Sequence, residues 1–216
     1  MSISGFELTD FSISIVWSDR LSLPVEEFRS GFDQTDLQFV SGMDSEPTFV
    51  YENENVNITY DISDATVQID PFGIEHFDQA VNLATELLEQ WSTTQSVNAY
   101  RISGDALLKI DSDEADDPNV GELIQQKVPG PKMIENLSAP GANSVTWRYS
   151  NHHRDEVDPV IDVKVEPYME NPAYFYVTLR KSSTKREEVW STSQNLKTTL
   201  ESLIGVFLEG GDGNGE

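Results

Sequence analysis

The chain has 216 residues, enough for one large domain or two small ones, and 38% of them are hydrophobic, too many for a disordered chain. Its 38 acidic and 14 basic residues give a formal net charge of −24, so we expect neither nucleic acid nor an anionic membrane as a partner. Cysteine is absent, which excludes disulfide bonds and thiolate metal ligands.

The first part of the chain predicts strands followed by one long helix. Apolar residues alternate over 11–17, which indicates a strand, and Pro24 predicts the first turn of a short helix over 24–31. An antiparallel meander with short polar turns is predicted over 48–52, 56–60 and 65–69. Apolar residues then recur every three or four positions over 74–91, which predicts an amphipathic helix lying across the sheet.

The second part repeats this order of elements. Strands are predicted over 99–103, 106–110, 144–150, 160–166 and 173–180. An acidic loop and a short helix, 111–118 and 120–128, interrupt them, and a closing helix is predicted over 187–208.

This order predicts an α+β protein with two structurally repeated halves. We expect an antiparallel sheet in which each half is covered by one long amphipathic helix, with residues 1–97 and 98–209 as the halves and 210–216 as a flexible tail. The halves could form two separate sheets or join edge to edge, and the short local connections favour one joined sheet.

The element order and the strand containing Tyr100, Arg101 and Ile102 resemble a sporadically distributed family of uncharacterised bacterial and archaeal proteins. Members of that family open with a strand, pair a meander with a long helix twice, and carry an arginine-rich strand after the first helix. The resemblance covers most of the chain, although the family's arginine and tyrosine pattern is only partly present here, because residues 103–105 interrupt the expected strand. It implies a fold and no assigned activity.

An acidic loop after residue 110 has some of the spacing of a calcium-binding loop. Its oxygen-bearing side chains at ligand positions one, three, seven, nine and twelve are Asp111, Asp113, Asp117, Asn119 and Glu122. The position that needs glycine for the sharp turn holds Asp116, however. A solvated acidic loop beside a helix N-terminus is the alternative explanation, and calcium is the one cofactor that the sequence suggests.

No catalytic motif is present. The chain lacks a nucleophile elbow, a phosphate-binding loop and a dinucleotide-binding turn, so we expect a non-enzymatic protein. Its three histidines are His76, His152 and His153, and the two adjacent ones would point to opposite sides of an extended segment. A histidine metal site is therefore not expected.

A rare group of basic residues lies near the last strand, beside two tyrosines. The residues that we predict to bind a partner are Tyr174, Tyr176, Arg180, Lys181, Lys185 and Arg186. A charge-balanced turn is the alternative explanation for the basic residues. The tyrosines share one strand face, which suits a sheet surface that contacts another protein.

The spread of the charge bears on the environment of the protein. Residues 1–108 hold 19 acidic and 3 basic residues, and residues 109–216 hold 19 and 11, without a dedicated acidic tail. This composition is typical of proteins that work in concentrated salt, where the charge is screened; mimicry of nucleic acid is a weaker alternative.

These observations together predict a role in protein contacts. With no secretory signal in the first residues, we expect a cytoplasmic accessory or interaction subunit of a halophilic cell or its virus. The alternative function is a domain that binds a small molecule or a cation such as calcium.

Overall fold

The structure, a computed structural model, describes residues 2–33, 35–41, 48–111, 118–127, 144–153 and 156–209. Within these residues the chain has the predicted α+β fold, with a nine-stranded antiparallel sheet and five α-helices. The strands are β1 (Ser2–Trp17), β2 (Gln38–Ser41), β3 (Thr48–Glu52), β4 (Val56–Asp61), β5 (Thr66–Pro71), β6 (Val97–Asp111), β7 (Val145–His153), β8 (Glu156–Pro167) and β9 (Tyr174–Ser183). The helices are α1 (Val25–Ser30), α2 (Phe77–Gln90), α3 (Val120–Lys127), α4 (Arg186–Gln194) and α5 (Leu196–Glu209).

All described strands belong to a single sheet, in the order β2-β3-β4-β5-β1-β6-β9-β8-β7. The joined arrangement that the sequence favoured is therefore the one observed. Its centre is the long pair of β1 and β6, which runs from Ser2 opposite Asp111 to Trp17 opposite Val97. This pair connects the strands of the first part of the chain to those of the second.

The β6 strand is continuous where the sequence predicted an interruption. The segments predicted at 99–103 and 106–110 form one strand, and Gly104 lies in its middle. A Cβ atom at Gly104 would lie 2.8 Å from a terminal methyl carbon of Leu196 in α5. Glycine here makes room for a packed helix, which is a known reason for glycine inside a strand.

One face of the sheet carries the hydrophobic core. Buried residues of every described helix join the same cluster as the buried strand residues, among them Phe28 of α1, Leu87 of α2, Ile124 of α3, Val189 of α4 and Leu200 of α5. Helix α2 packs against β1 and β5, α3 against β8, α4 against β6 and β9, and α5 against β1. The amphipathic helix predicted at 74–91 is confirmed in substance, with a 3₁₀ turn (Ile74–His76) before α2.

The prediction of a single closing helix over 187–208 is wrong. Two helices occupy this stretch, and the break falls at Asn195, whose N–H donates to the carbonyl oxygens of Ser193 and Thr192. Polar residues with low helix propensity surround the break, so little intrinsic stability opposes it. The repeat of two halves at 1–97 and 98–209 stays a prediction, and the tail 210–216 lies outside the described residues.

Where the structure describes the chain, none of its helices is both long enough and apolar enough to span a membrane.

Candidate functional site

The face of the sheet opposite the helices is polar, and we call it the open face. On β6, Arg101, Ser103 and Asp105 alternate with buried residues of the core face. On β9, Tyr174 and Thr178 do the same. Because successive strand residues point to opposite sides, these side chains all lie on the side away from the described helices.

Strand register brings two distant arginines together on the open face. Arg101 of β6 lies opposite Ser182 of β9, and Ser103 of β6 lies opposite Arg180 of β9, so the arginines are diagonal neighbours. Both line a depression of about 440 Å³ that also reaches β1 and β8. We define the arginine basin by its arginines and serines, which are Ser12, Ser14, Arg101, Ser103, Arg180 and Ser182.

A carboxylate that also lines the basin, Asp162, is already held by another arginine. Arg148 of β7 donates from Nε to Asp162 Oδ1 (2.7 Å) and from its terminal nitrogen to Asp162 Oδ2 (2.9 Å). The hydrogen bonds from Arg148 hold the pKa of the Asp162 carboxyl below its usual range, and the nearby charge of Arg180 lowers it as well. The side chains of Arg101 and Arg180 make no ion pair or hydrogen bond to any residue that the structure describes.

The other end of the open face is acidic. Asp10 of β1 lies opposite Asp105 of β6, and Tyr176 Oη donates to Asp105 Oδ2 (2.8 Å). Burial, this hydrogen bond and the charges of Asp105 and Asp10 raise the pKa of Tyr176 to about 12. Burial also raises the pKa of Asp70, and the charge of Asp10 adds to the effect. The open face therefore has a cationic end and an anionic end.

The six residues predicted to bind a partner do not form one surface. Tyr174, Tyr176 and Arg180 lie on the open face, whereas Lys181 points to the helices, because neighbouring strand residues alternate between faces. Lys181 Nζ donates to the carbonyl oxygen of Glu188 (2.6 Å).

The remaining two predicted residues, Lys185 and Arg186, lie at the start of α4. Lys185 Nζ is 3.3 Å from Glu188 Oε1. Both residues line a separate cleft of about 530 Å³ on the helix side, together with Tyr100. Burial raises the pKa of Tyr100, and the charge of Arg186 opposes the rise.

Part of the predicted calcium loop has another role in the structure. Asn119 Oδ1 accepts hydrogen bonds from the backbone N–H groups of Gly121 (3.0 Å) and Glu122 (3.3 Å), and Asn119 Nδ2 donates to Glu122 Oε1 (3.3 Å). Asparagine in this position caps the start of α3. Asp111 lies 3.5 Å from Lys109 Nζ.

The other two predicted ligands, Asp113 and Asp117, lie outside the described residues. Among the residues that are described, no three histidine, aspartate or glutamate side chains are placed to hold a metal ion. Calcium binding by this loop stays a prediction.

The sequence did not predict Arg101 or Arg148 as site residues. The polar alternation from Arg101 to Asp105 was the available signal, since it indicates a strand with one uncovered face. The pairing of β6 with β9 could not be predicted from the sequence, because 62 residues separate the two strands in the chain.

Comparison with protein-family models and with curated proteins finds no significant match to the chain.

Proposed function

We propose that the chain is a non-catalytic binding protein, an accessory subunit that docks another protein on the open face of its sheet. One observation carries the proposal. On the side away from every described helix, Arg101 and Arg180 line a common basin, and no described residue forms an ion pair with either. An antiparallel sheet can expose one polar face to water, so a face that no described helix covers is available for contacts.

The charge balance of the chain supports this proposal. Acidic residues outnumber basic ones by 38 to 14, so the chain offers more than two carboxylates for each basic side chain. A guanidinium group that nevertheless has no carboxylate partner retains its full capacity for a charged ligand. The basin thus holds two arginines without an ion pair to a described residue, on a chain whose overall charge is −24.

A crosslinking experiment with two matched threonines tests the proposed docking. Thr178 lies on the open face, and Thr198 is exposed on α5 of the helix side. Each is replaced by a photoreactive benzoylphenylalanine in the full chain, in cells that naturally produce it. We expect position 178 to form a discrete adduct with another protein, which then binds the purified chain in calorimetry. Equal adducts at both positions, or none at 178, would contradict docking on the open face.

We further propose that the acidic surface is an adaptation to the concentrated salt of a halophilic cytoplasm, in the host cell or during infection by its virus. At about 1 M salt the screening length falls to roughly 3 Å, so self-repulsion is suppressed. Circular dichroism and light scattering from low to multimolar KCl test this. Folding that requires high salt supports the proposal, and a monomer that is fully folded in dilute buffer contradicts it.

A further inference from the structure

We infer that the arginine basin recognises an extended acidic segment with two carboxylates separated by one residue. The inference rests on the proposed function, because it names the chemical group that the docked protein presents. Its occupant is a segment of a partner protein in which aspartate or glutamate occupies positions i and i+2.

The spacing of the two arginines fits such a segment. Diagonal neighbours on paired strands lie roughly 7–8 Å apart, which is within reach of long side chains. In an extended chain, alternate side chains share a face and repeat about every 6.6–6.8 Å. Arg101 and Arg180 are diagonal neighbours through their pairing with Ser182 and Ser103, so each can take one carboxylate of the alternating pair.

One carboxylate on the open face is already bound by an arginine. Arg148 binds Asp162 through two parallel hydrogen bonds of 2.7 and 2.9 Å, the fork geometry that arginine forms with carboxylates. Arg180 also lies opposite Asp162, on the other neighbouring strand, but forms no ion pair with it. Arg148 therefore forms the ion pair with Asp162, whereas neither Arg101 nor Arg180 forms an ion pair with any residue in the part of the chain that the structure describes.

The rest of the face limits where the segment lies. Serine hydroxyl groups of β1, β6 and β9 line the basin and can exchange hydrogen bonds with an extended backbone. At the opposite end, Asp10 and Asp105 repel further acidic residues. We therefore expect the two carboxylates at the arginine end only, and neutral or basic residues beyond them.

Peptide titrations of the full chain test the spacing. The probes are Thr-Glu-Thr-Glu-Thr, its isomer Thr-Glu-Glu-Thr-Thr and Thr-Gln-Thr-Gln-Thr, which has neutral side chains. Their binding is measured from changes in the amide chemical shifts of the protein, at a salt concentration at which the chain is folded. We expect the alternating acidic peptide to bind tightest and to shift the resonances of Ser12, Ser103 and Ser182. Equal binding of the two glutamate peptides would overturn the inferred spacing. If neither peptide binds, the inference that the ligand is acidic is overturned.

Substitutions of the arginines assign the binding to the basin. R101Q and R180Q are each expected to weaken the alternating peptide about threefold to tenfold, the range for one partly screened charge-assisted contact, and together to abolish binding. R20Q removes the same charge from an exposed turn and should leave binding unchanged. R180K retains charge without the fork and should recover only part of the affinity. Circular dichroism checks that each variant is folded.

The outcomes separate this inference from the proposed function. Inorganic phosphate that displaces the alternating peptide at equal concentration would indicate a site for one compact oxyanion, which contradicts the two-carboxylate ligand. A partner that crosslinks at position 178 and binds R101Q/R180Q with full affinity would likewise refute the acidic segment while leaving open-face docking intact. Peptide binding at the basin without any crosslink at 178 would support the acidic ligand but contradict docking of a partner protein on the open face.

Discussion

The two faces of strand β9 differ in almost every property except their backbone. On one face, Phe175, Val177 and Leu179 have no exposed surface and belong to the core. On the other, Tyr174, Thr178 and Arg180 are partly or fully exposed and lie away from the helices that the structure describes. The comparison shows that one set of alternate residues on a single strand is packed in the core, while the other set, to which we assign the proposed docking, is left partly exposed.

This division makes a general expectation about substitutions. Changes on the core face should lower the free energy of unfolding, because they remove packed apolar contacts or create cavities. Changes on the open face should affect binding and electrostatics with less effect on folding, because most side chains there are only partly buried. Neighbouring residues on the same strand provide the matched pairs.

The largest difference is expected between Phe175 and its neighbour Tyr174. F175A empties a fully buried site that contacts the ring of Phe207, and should lower the free energy of unfolding by about 3–5 kcal/mol. Y174A changes a partly exposed residue of the open face and should cost far less. Urea denaturation monitored by tryptophan fluorescence measures both. Similar losses for the two variants would contradict the division between the faces.

A smaller difference is expected at the centre of β6. G104V places a branched side chain where even a Cβ would lie 2.8 Å from Leu196, and overpacking of this kind costs about 1–3 kcal/mol. S103V places the same side chain on the open face, where we expect no more than about 0.5 kcal/mol. Thermal denaturation compares the two variants. A less stable S103V would mean that the open face is packed rather than solvated.

Alkaline pH should reveal one tyrosine on each face. Burial raises the pKa of Tyr60, whose hydroxyl donates to the carbonyl oxygen of Leu23, to about 12, and the pKa of Tyr176 is raised to the same value. Both phenols have a higher pKa in the folded chain than the ordinary value of 10.0, so their stabilisation is complete below pH 10 and is lost as the pH rises towards 12.

Phenylalanine variants separate the two contributions. Y60F leaves the Leu23 carbonyl without its donor and should cost about 1–2 kcal/mol at neutral pH, while reducing the loss of stability between pH 10 and 12. Y176F should reduce the alkaline loss with a smaller cost at neutral pH, because its hydroxyl is partly solvated. Denaturant melts at several pH values provide the measurement. An unchanged alkaline slope in both variants would disprove the assignment.

The smallest effect concerns the charges beside the basin. R148Q should raise the pKa of Asp162 towards its ordinary value, because it removes the hydrogen bonds that hold it down. R180Q should raise it less, since Arg180 acts on Asp162 through charge alone. Carboxyl carbon NMR titration follows both variants. A larger rise in R180Q would show that Arg180, and not Arg148, is the principal partner of Asp162.

The sequence predicted those elements whose pattern is local. Alternation of apolar residues identified the strands at 56–60, 65–69 and 173–180, and the three-to-four spacing identified α2. It missed β2 (Gln38–Ser41), whose residues are all exposed, and the first nine residues of β1, where bulges disturb the alternation. Strands of this kind depend on their neighbours more than on their own composition.

The candidate site was predictable only in part. Tyr174, Tyr176 and Arg180 share one strand face by periodicity alone, and the structure places them on the open face. Lys181 was grouped with them by its position in the chain, although the pleat sends its side chain to the helices. Arg101 became a site residue only through the pairing of β6 with β9.

By itself, the sequence determined the antiparallel α+β class, the acidic surface and the alternation of polar and apolar residues, since each follows from local composition and periodicity. The tertiary structure decided which strands became neighbours, which face the helices cover and where the closing helix breaks. Those choices depend on contacts between residues far apart in the chain. Long-range strand pairing therefore turned two isolated arginines into one basin.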